Sequence, residues 1–118
     1  MIQSYKDLIV WQKSIDLVIE VYRLTKSFPK EELYCITSQM RRAAISIPSN
    51  IAEGRSRKYR QEFKQFVRTA LGSGAELETQ VIISKKLTLT TLKDFEKVDE
   101  LLAEIMKMLN SLNYSLTS

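Results

Sequence analysis

The stretch Leu33-Tyr-Cys-Ile-Thr-Ser-Gln-Met-Arg-Arg-Ala-Ala-Ile-Ser-Ile-Pro-Ser-Asn-Ile-Ala-Glu-Gly54 carries apolar residues at Leu33, Ile36, Met40, Ala43, Ile47 and Ile51. Steps of three and four put these on one stripe of an α-helix. Pro29 suits the first position of such a helix, and Glu31 and Glu32 complement the positive end of its dipole. Gly54 is placed to stop it. Pro48 lies inside, where it removes a backbone hydrogen bond and crowds the carbonyl of Ala44, so a kink is predicted there.

The same spacing recurs on both sides of this stretch. Trp11, Ile15, Val18 and Tyr22 predict a helix from near Asp7, with Ser4-x-x-Asp7 as a capping box and Phe28-Pro29 as its end. Gly54-Arg-Ser-Arg-Lys58 is a short basic connection into the longest helix, whose stripe is Phe63, Val67, Ala70, Gly74, Leu77 and Val81 and which runs to about Leu89. Thr90 and Thr91 interrupt it. Thr91-x-x-Asp94 then resembles a start signal for Val98, Leu102, Ile105, Leu109 and Leu112. Alternating steps of three and four suit helices crossing at about 20° in a left-handed bundle, and short connections require antiparallel neighbours. The predicted fold is all-α, an up-down-up-down antiparallel four-helix bundle, with residues 1–118 forming one domain.

Composition agrees with long helices. The chain has only 3 Gly and 2 Pro, too few for a protein of many tight turns. No apolar run approaches the roughly 20 residues that span a bilayer, and the N-terminus lacks the basic start and apolar middle of a signal peptide. With Cys35 as the single cysteine, these features predict a cytoplasmic protein without a membrane anchor.

The chain contains no histidine, which removes Ser-His-Asp and Cys-His nucleophile pairs, imidazole bases and Glu-x-x-His di-iron motifs. One cysteine cannot build a structural zinc site. Glu76 and Glu78 point about 200° apart on a helix and cannot share a proton or a metal. Gly72-Ser73-Gly74 lacks the preceding strand and the Lys-Ser/Thr ending of a phosphate loop, and reads as a notch for a neighbouring helix. No catalytic residue, metal site or cofactor is expected, and the protein is not expected to be an enzyme.

Two polar features remain. Arg42, Ser46, Asn50 and Glu53 form a stripe beside the apolar one, and an antiparallel bundle brings it near Asp16 and Glu76, so that Arg41 or Arg42 could make a structural ion pair. Charge is also concentrated: between Arg41 and Arg68 stand Arg41, Arg42, Arg55, Arg57, Lys58, Arg60, Lys64 and Arg68 against Glu53 and Glu62, a local charge of +6 in a chain of +4. Such a cluster can contact phosphates of RNA or DNA. Phe63 and Phe66 are required by the core, which leaves Tyr59 as the stacking candidate among these cations.

Several stretches together resemble one family: Leu8-Ile-Val-Trp11-Gln12-Lys13, Phe28-Pro29-x-x-Glu32, Gln39-x-Arg41-Arg42 through Ala43-Ala-Ile-Ser-Ile-Pro-Ser-Asn-Ile-Ala to Glu53-Gly54, and Ala70-Leu71-Gly72-Ser73-x-x-Glu76-Leu77. The chain resembles the 23S rRNA intervening-sequence proteins, bacterial four-helix bundles encoded in insertions within ribosomal RNA genes or elsewhere. These are related to the accessory protein of diversity-generating retroelements, a basic homopentameric barrel that binds nucleic acid and a reverse transcriptase. The resemblance implies a homo-oligomer, a pentamer by that analogy, with a nucleic-acid-binding surface, and it identifies no catalytic residue. Two readings stay open: a bundle that binds RNA or DNA through the eight basic residues, or a scaffold or accessory subunit for a protein partner whose arginines are structural.

Overall fold

Residues 4–117 are described by a computed structural model. Four helices carry the fold: α1 (Ile9–Thr25), α2 (Ser38–Arg55), α3 (Arg60–Lys86) and α4 (Glu96–Ser115), with no strand among the described residues. Each packs on its neighbours in sequence, and α1 closes the square against α4. The pairing of α2 with α3 is antiparallel: Gly54 abuts Phe66, Ser46 bonds Ser73 and Met40 meets Ser84, so one number rises as the other falls. Gly74 against Met106 and Lys85 against Asp99 establish the same sense for α3 and α4. The fold is the predicted all-α four-helix bundle, 44 Å long and about 22 Å across. No helix among the described residues is long and apolar enough to cross a membrane.

The core rows of three helices follow those predicted, with Phe63 of α3 and Leu112 of α4 only half-buried at the ends of their rows. Met40, Ala43, Ile47 and Ile51 of α2 are buried, as are Val67, Ala70, Gly74, Leu77 and Val81 of α3 and Val98, Leu102, Ile105 and Leu109 of α4. In α1 the expected row is displaced by one residue: Val10, Ser14, Leu17, Val21 and Leu24 face the core, while Ile15 and Tyr22 are each 36% exposed. Both rows have helical spacing, so periodicity cannot choose between them. The buried Ser14 disguises the true row, yet its hydroxyl donates to the Trp11 carbonyl and enters the core with its hydrogen bond made.

Helix boundaries follow local chemistry more closely than periodicity. Ser4 forms the predicted capping box with Asp7, but around a 3-10 turn at Tyr5–Asp7 that precedes α1. α2 starts later than expected, because a 3-10 turn (Lys30–Glu32) and a π-turn (Leu33–Thr37) fill the connection and Cys35 is non-helical (φ −117°, ψ −112°). Leu33 is consequently exposed and Ile36 half-buried. α2 continues through Pro48 and past Gly54, ending at Arg55. Thr91 makes no side-chain cap; the Thr90 hydroxyl donates to Asp94 instead. α3 ends at Lys86, where Leu89 N–H bonds the Ser84 carbonyl and Thr88 N–H that of Lys85, a Schellman closure with Thr88 in the left-handed region (φ 55°).

The notch predicted at Gly72-Ser73-Gly74 divides between its glycines. A Cβ at Gly74 would collide with the Met106 side chain of α4, whereas a Cβ at Gly72 would meet nothing within 4 Å. Gly72→Ala is therefore expected to stabilise the isolated chain by about 0.5–1 kcal/mol, since it restricts the unfolded chain without a clash. Gly74→Val is expected to destabilise it by about 1–3 kcal/mol through overpacking. Thermal melts of the two variants check the opposite signs.

Candidate functional site

α2 ends at Arg55 and α3 begins at Arg60, so the connection 56–59 turns the chain at one end of the bundle. Ser56 N–H bonds the Ala52 carbonyl and Arg57 N–H that of Gly54, which closes α2. Tyr59 caps α3 with extended backbone (φ −104°, ψ 142°), and no side chain caps this helix end. Gly54 permits the turn to sit tightly: a Cβ there would lie 2.6 Å from Phe66 Cβ and 3.0 Å from the Phe63 ring.

The eight cations singled out from sequence do not form one surface. Arg41 and Arg42 lie near the start of α2, about 20 Å along its axis from Arg55 at 1.5 Å rise per residue. Arg55, Arg57, Lys58, Arg60 and Lys64 gather at the α2–α3 turn. Arg68 continues the row Arg60, Lys64, Arg68 along one side of α3, at steps of four.

Three of the eight are held within the chain. Arg41 Nε donates to the buried Thr25 hydroxyl (2.9 Å), and its guanidinium lies 4.5 Å from the centre of the Tyr22 ring, so it fastens α2 to the end of α1. Arg57 pairs with Glu53 (2.9 Å) and stacks over Phe66 at 4.9 Å. Arg60 donates to the Ser115 carbonyl at the C-terminal end of α4, where the helix dipole favours a cation. Arg42, Arg55, Lys64 and Arg68 have neither ion pair nor hydrogen bond among the described residues, and Lys58 touches only the Tyr59 ring, 5.6 Å from its centre. Five cations are therefore free, four of them on the turn and the first turns of α3.

The polar stripe is partly assembled. Ser46 and Ser73 share a hydrogen bond of 2.7 Å across α2 and α3, and Asn50 donates to the Ser46 hydroxyl and carbonyl. Arg42 and Glu76 line one groove beside them, with Gln39 and Tyr34, without the expected ion pair. Glu53 is taken by Arg57. Glu76 is exposed, and the side-chain hydrogen bond that joins α2 to α3 along this stripe is the one between Ser46 and Ser73.

Sequence reasoning missed two surface features. Trp11 and Val18 of the expected α1 row are half-buried against the edge of the core, and with Ile15 they line a groove together with Tyr5 and with Ile45, Pro48 and Ala52 of α2; Ile45 also lines a second groove with Tyr22, Leu33, Tyr34, Arg41 and Arg42. A second exposed aromatic also joins Tyr59, the stacking candidate read from the sequence, at the basic end: Tyr59 is 61% and Tyr114 82% exposed. Arg60 brings them to the same end, because it follows Tyr59 and bonds the carbonyl of Ser115, the residue after Tyr114. No sequence signal joins positions so far apart in the chain. No group of acidic and cysteine residues among those described stands close enough to hold a metal ion.

The family described as 23S rRNA-intervening sequence protein matches residues 6–111, most of the chain, and the chain belongs to that family. Among solved structures it is similar to a protein of unknown function from the S23 ribosomal protein family of Bacteroides thetaiotaomicron, with a TM-score of 0.79 and 22% identity, over 89% of this chain and 98% of that one. The likeness is one of fold. No curated protein matches the sequence.

Proposed function

We propose that this member of the 23S rRNA-intervening sequence protein family is a non-catalytic bundle that binds RNA or DNA through its basic end and works as an assembly of identical chains in the cytoplasm. One observation carries the reading: Arg55, Lys58, Lys64 and Arg68 have no carboxylate partner among the described residues, yet lie on one turn and the helix that follows it. Cations left unpaired side by side repel one another, and a phosphate backbone relieves that repulsion while releasing its own counterions. Arg42 is a further free cation; Arg41, Arg57 and Arg60 shape the surface from within.

Assembly has separate support. The two grooves that meet at Ile45 leave Ile15, Tyr22, Leu33 and Tyr34 exposed on one side of the bundle, and clusters of exposed apolar side chains mark surfaces that partners cover. A pentamer is the form that the resemblance implies. A second reading, a scaffold or accessory subunit for a protein partner, draws on the same grooves and on the three arginines engaged within the chain.

Binding of labelled single-stranded RNA and duplex DNA across a salt series, with light scattering on the same preparation, tests both parts. Micromolar or tighter affinity that falls steeply with salt is the expected result, together with a mass several times the 13.7 kDa of one chain. An assembled protein that binds neither nucleic acid at low salt fits the scaffold reading and removes the first.

A further inference from the structure

We propose that Tyr59 and Tyr114 are base-stacking residues, so that the basic end of the bundle takes a single strand with unpaired bases rather than a duplex. The inference rests on the nucleic-acid reading above and specifies its ligand.

The two tyrosines are unlike the other aromatics of their end. Phe63 and Phe66 pack under the turn against Gly54, and Tyr5 leans edge-on against Trp11 with ring centres 5.4 Å apart. Tyr59 and Tyr114 have no aromatic partner among the described residues and stand 61% and 82% exposed. An apolar ring left in water beside a basic turn has a ready partner in a nucleobase, whose flat face is as poorly hydrated as its own.

The surrounding charges suit a strand threaded past these rings. Arg60 is occupied by the Ser115 carbonyl and so fixes the start of α3 against the end of α4, with a tyrosine on each side of the contact. Lys58 hangs over the Tyr59 ring at 5.6 Å. A base arriving on that face displaces the ammonium toward the adjoining phosphate, which converts an internal cation–π contact into a phosphate contact. Arg55 precedes the turn, and Lys64 and Arg68 follow at steps of four, about 6 Å along the helix per step. In a duplex the bases are paired and stacked on one another, and their faces are closed to both tyrosines. A single strand offers them, whether its sugar is ribose or deoxyribose.

The test is fluorescence anisotropy with four labelled probes: a 20-nucleotide uridine RNA, the matching deoxyuridine DNA, an abasic strand of the same length and charge, and a 20-base-pair duplex. The wild-type chain is expected to bind the base-bearing strands at least about five-fold more tightly than the abasic one for each base stacked. Tyr59→Ala with Tyr114→Ala is expected to abolish that preference and leave abasic binding unchanged, while Tyr59→Phe with Tyr114→Phe retains it. The relative affinities of the uridine and deoxyuridine strands, which differ only in the sugar, show which sugar is preferred. Equal binding of abasic and base-bearing strands by the wild type, tighter binding of the duplex, or an equal loss on all probes in the alanine variant overturns the inference. Salt-dependent binding in those cases leaves the phosphate reading standing; a wild type that binds no probe removes both. Both substituted positions are exposed, and a circular-dichroism melt unchanged from wild type shows that the fold is intact.

Discussion

Replacing Arg55, Lys58, Lys64 and Arg68 together by glutamine is expected to weaken binding to a single-stranded 20-mer by on the order of a hundred- to a thousand-fold near 0.1 M salt. The slope of log affinity against log salt should fall by about 3, since each lost single-strand phosphate contact removes about 0.7. These four are the appropriate positions because none is committed to the fold among the described residues. Arg57 and Arg60 are poorer ones despite lying in the same run: one is clamped between Glu53 and Phe66, and the other ties the start of α3 to Ser115. Reversing their charge would disturb packing together with any ligand. Unchanged affinity and slope in the quadruple variant would assign the free cations to solvent, whereas dissociation of the assembly with lost binding would assign them to an interface between subunits.

Phe95→Ala is the substitution expected to cost most in stability. Phe95 is fully buried where the 3-10 turn Leu92–Phe95 leads into α4, with the Phe28 ring 6.2 Å away and the Lys85 ammonium 5.6 Å over its face. It closes the end of the bundle opposite the basic turn, and a truncation there leaves a cavity beside the Phe28 ring. Losses of about 3–5 kcal/mol are usual for a buried Phe→Ala, a large fraction of the 5–15 kcal/mol of a whole domain. The melting temperature should drop by more than about 10 °C. Nucleic-acid affinity measured well below the melt should be unaltered, because the proposed site lies at the far end. A drop of less than a few degrees would mean that this end is not packed as described.

Phe28 and Phe95 also illustrate what sequence reading could not reach. Both sit in connections, outside any helical stripe, and Phe28 reads in the chain only as the residue before a proline. Their burial follows from the meeting of the α1–α2 and α3–α4 connections at one end, which periodicity does not encode. The eight cations were legible as a run in the sequence, but their division was not. Whether an arginine is free depends on what stands across from it, and for Arg41 that is Thr25 and Tyr22, for Arg60 the carbonyl of Ser115.

The sequence by itself determined the class and architecture of this protein, because four stripes at steps of three and four, joined by short connections, admit few arrangements other than an antiparallel bundle. The absence of histidine likewise followed from the chain alone, and with it the loss of imidazole chemistry. Tertiary structure decided which of two equally periodic rows of α1 is buried, which cations remain free, and that Tyr59 and Tyr114 share an end. The physical reason is the same in each case: helical spacing specifies the faces of one helix, while burial and pairing depend on which face of another helix comes to meet it.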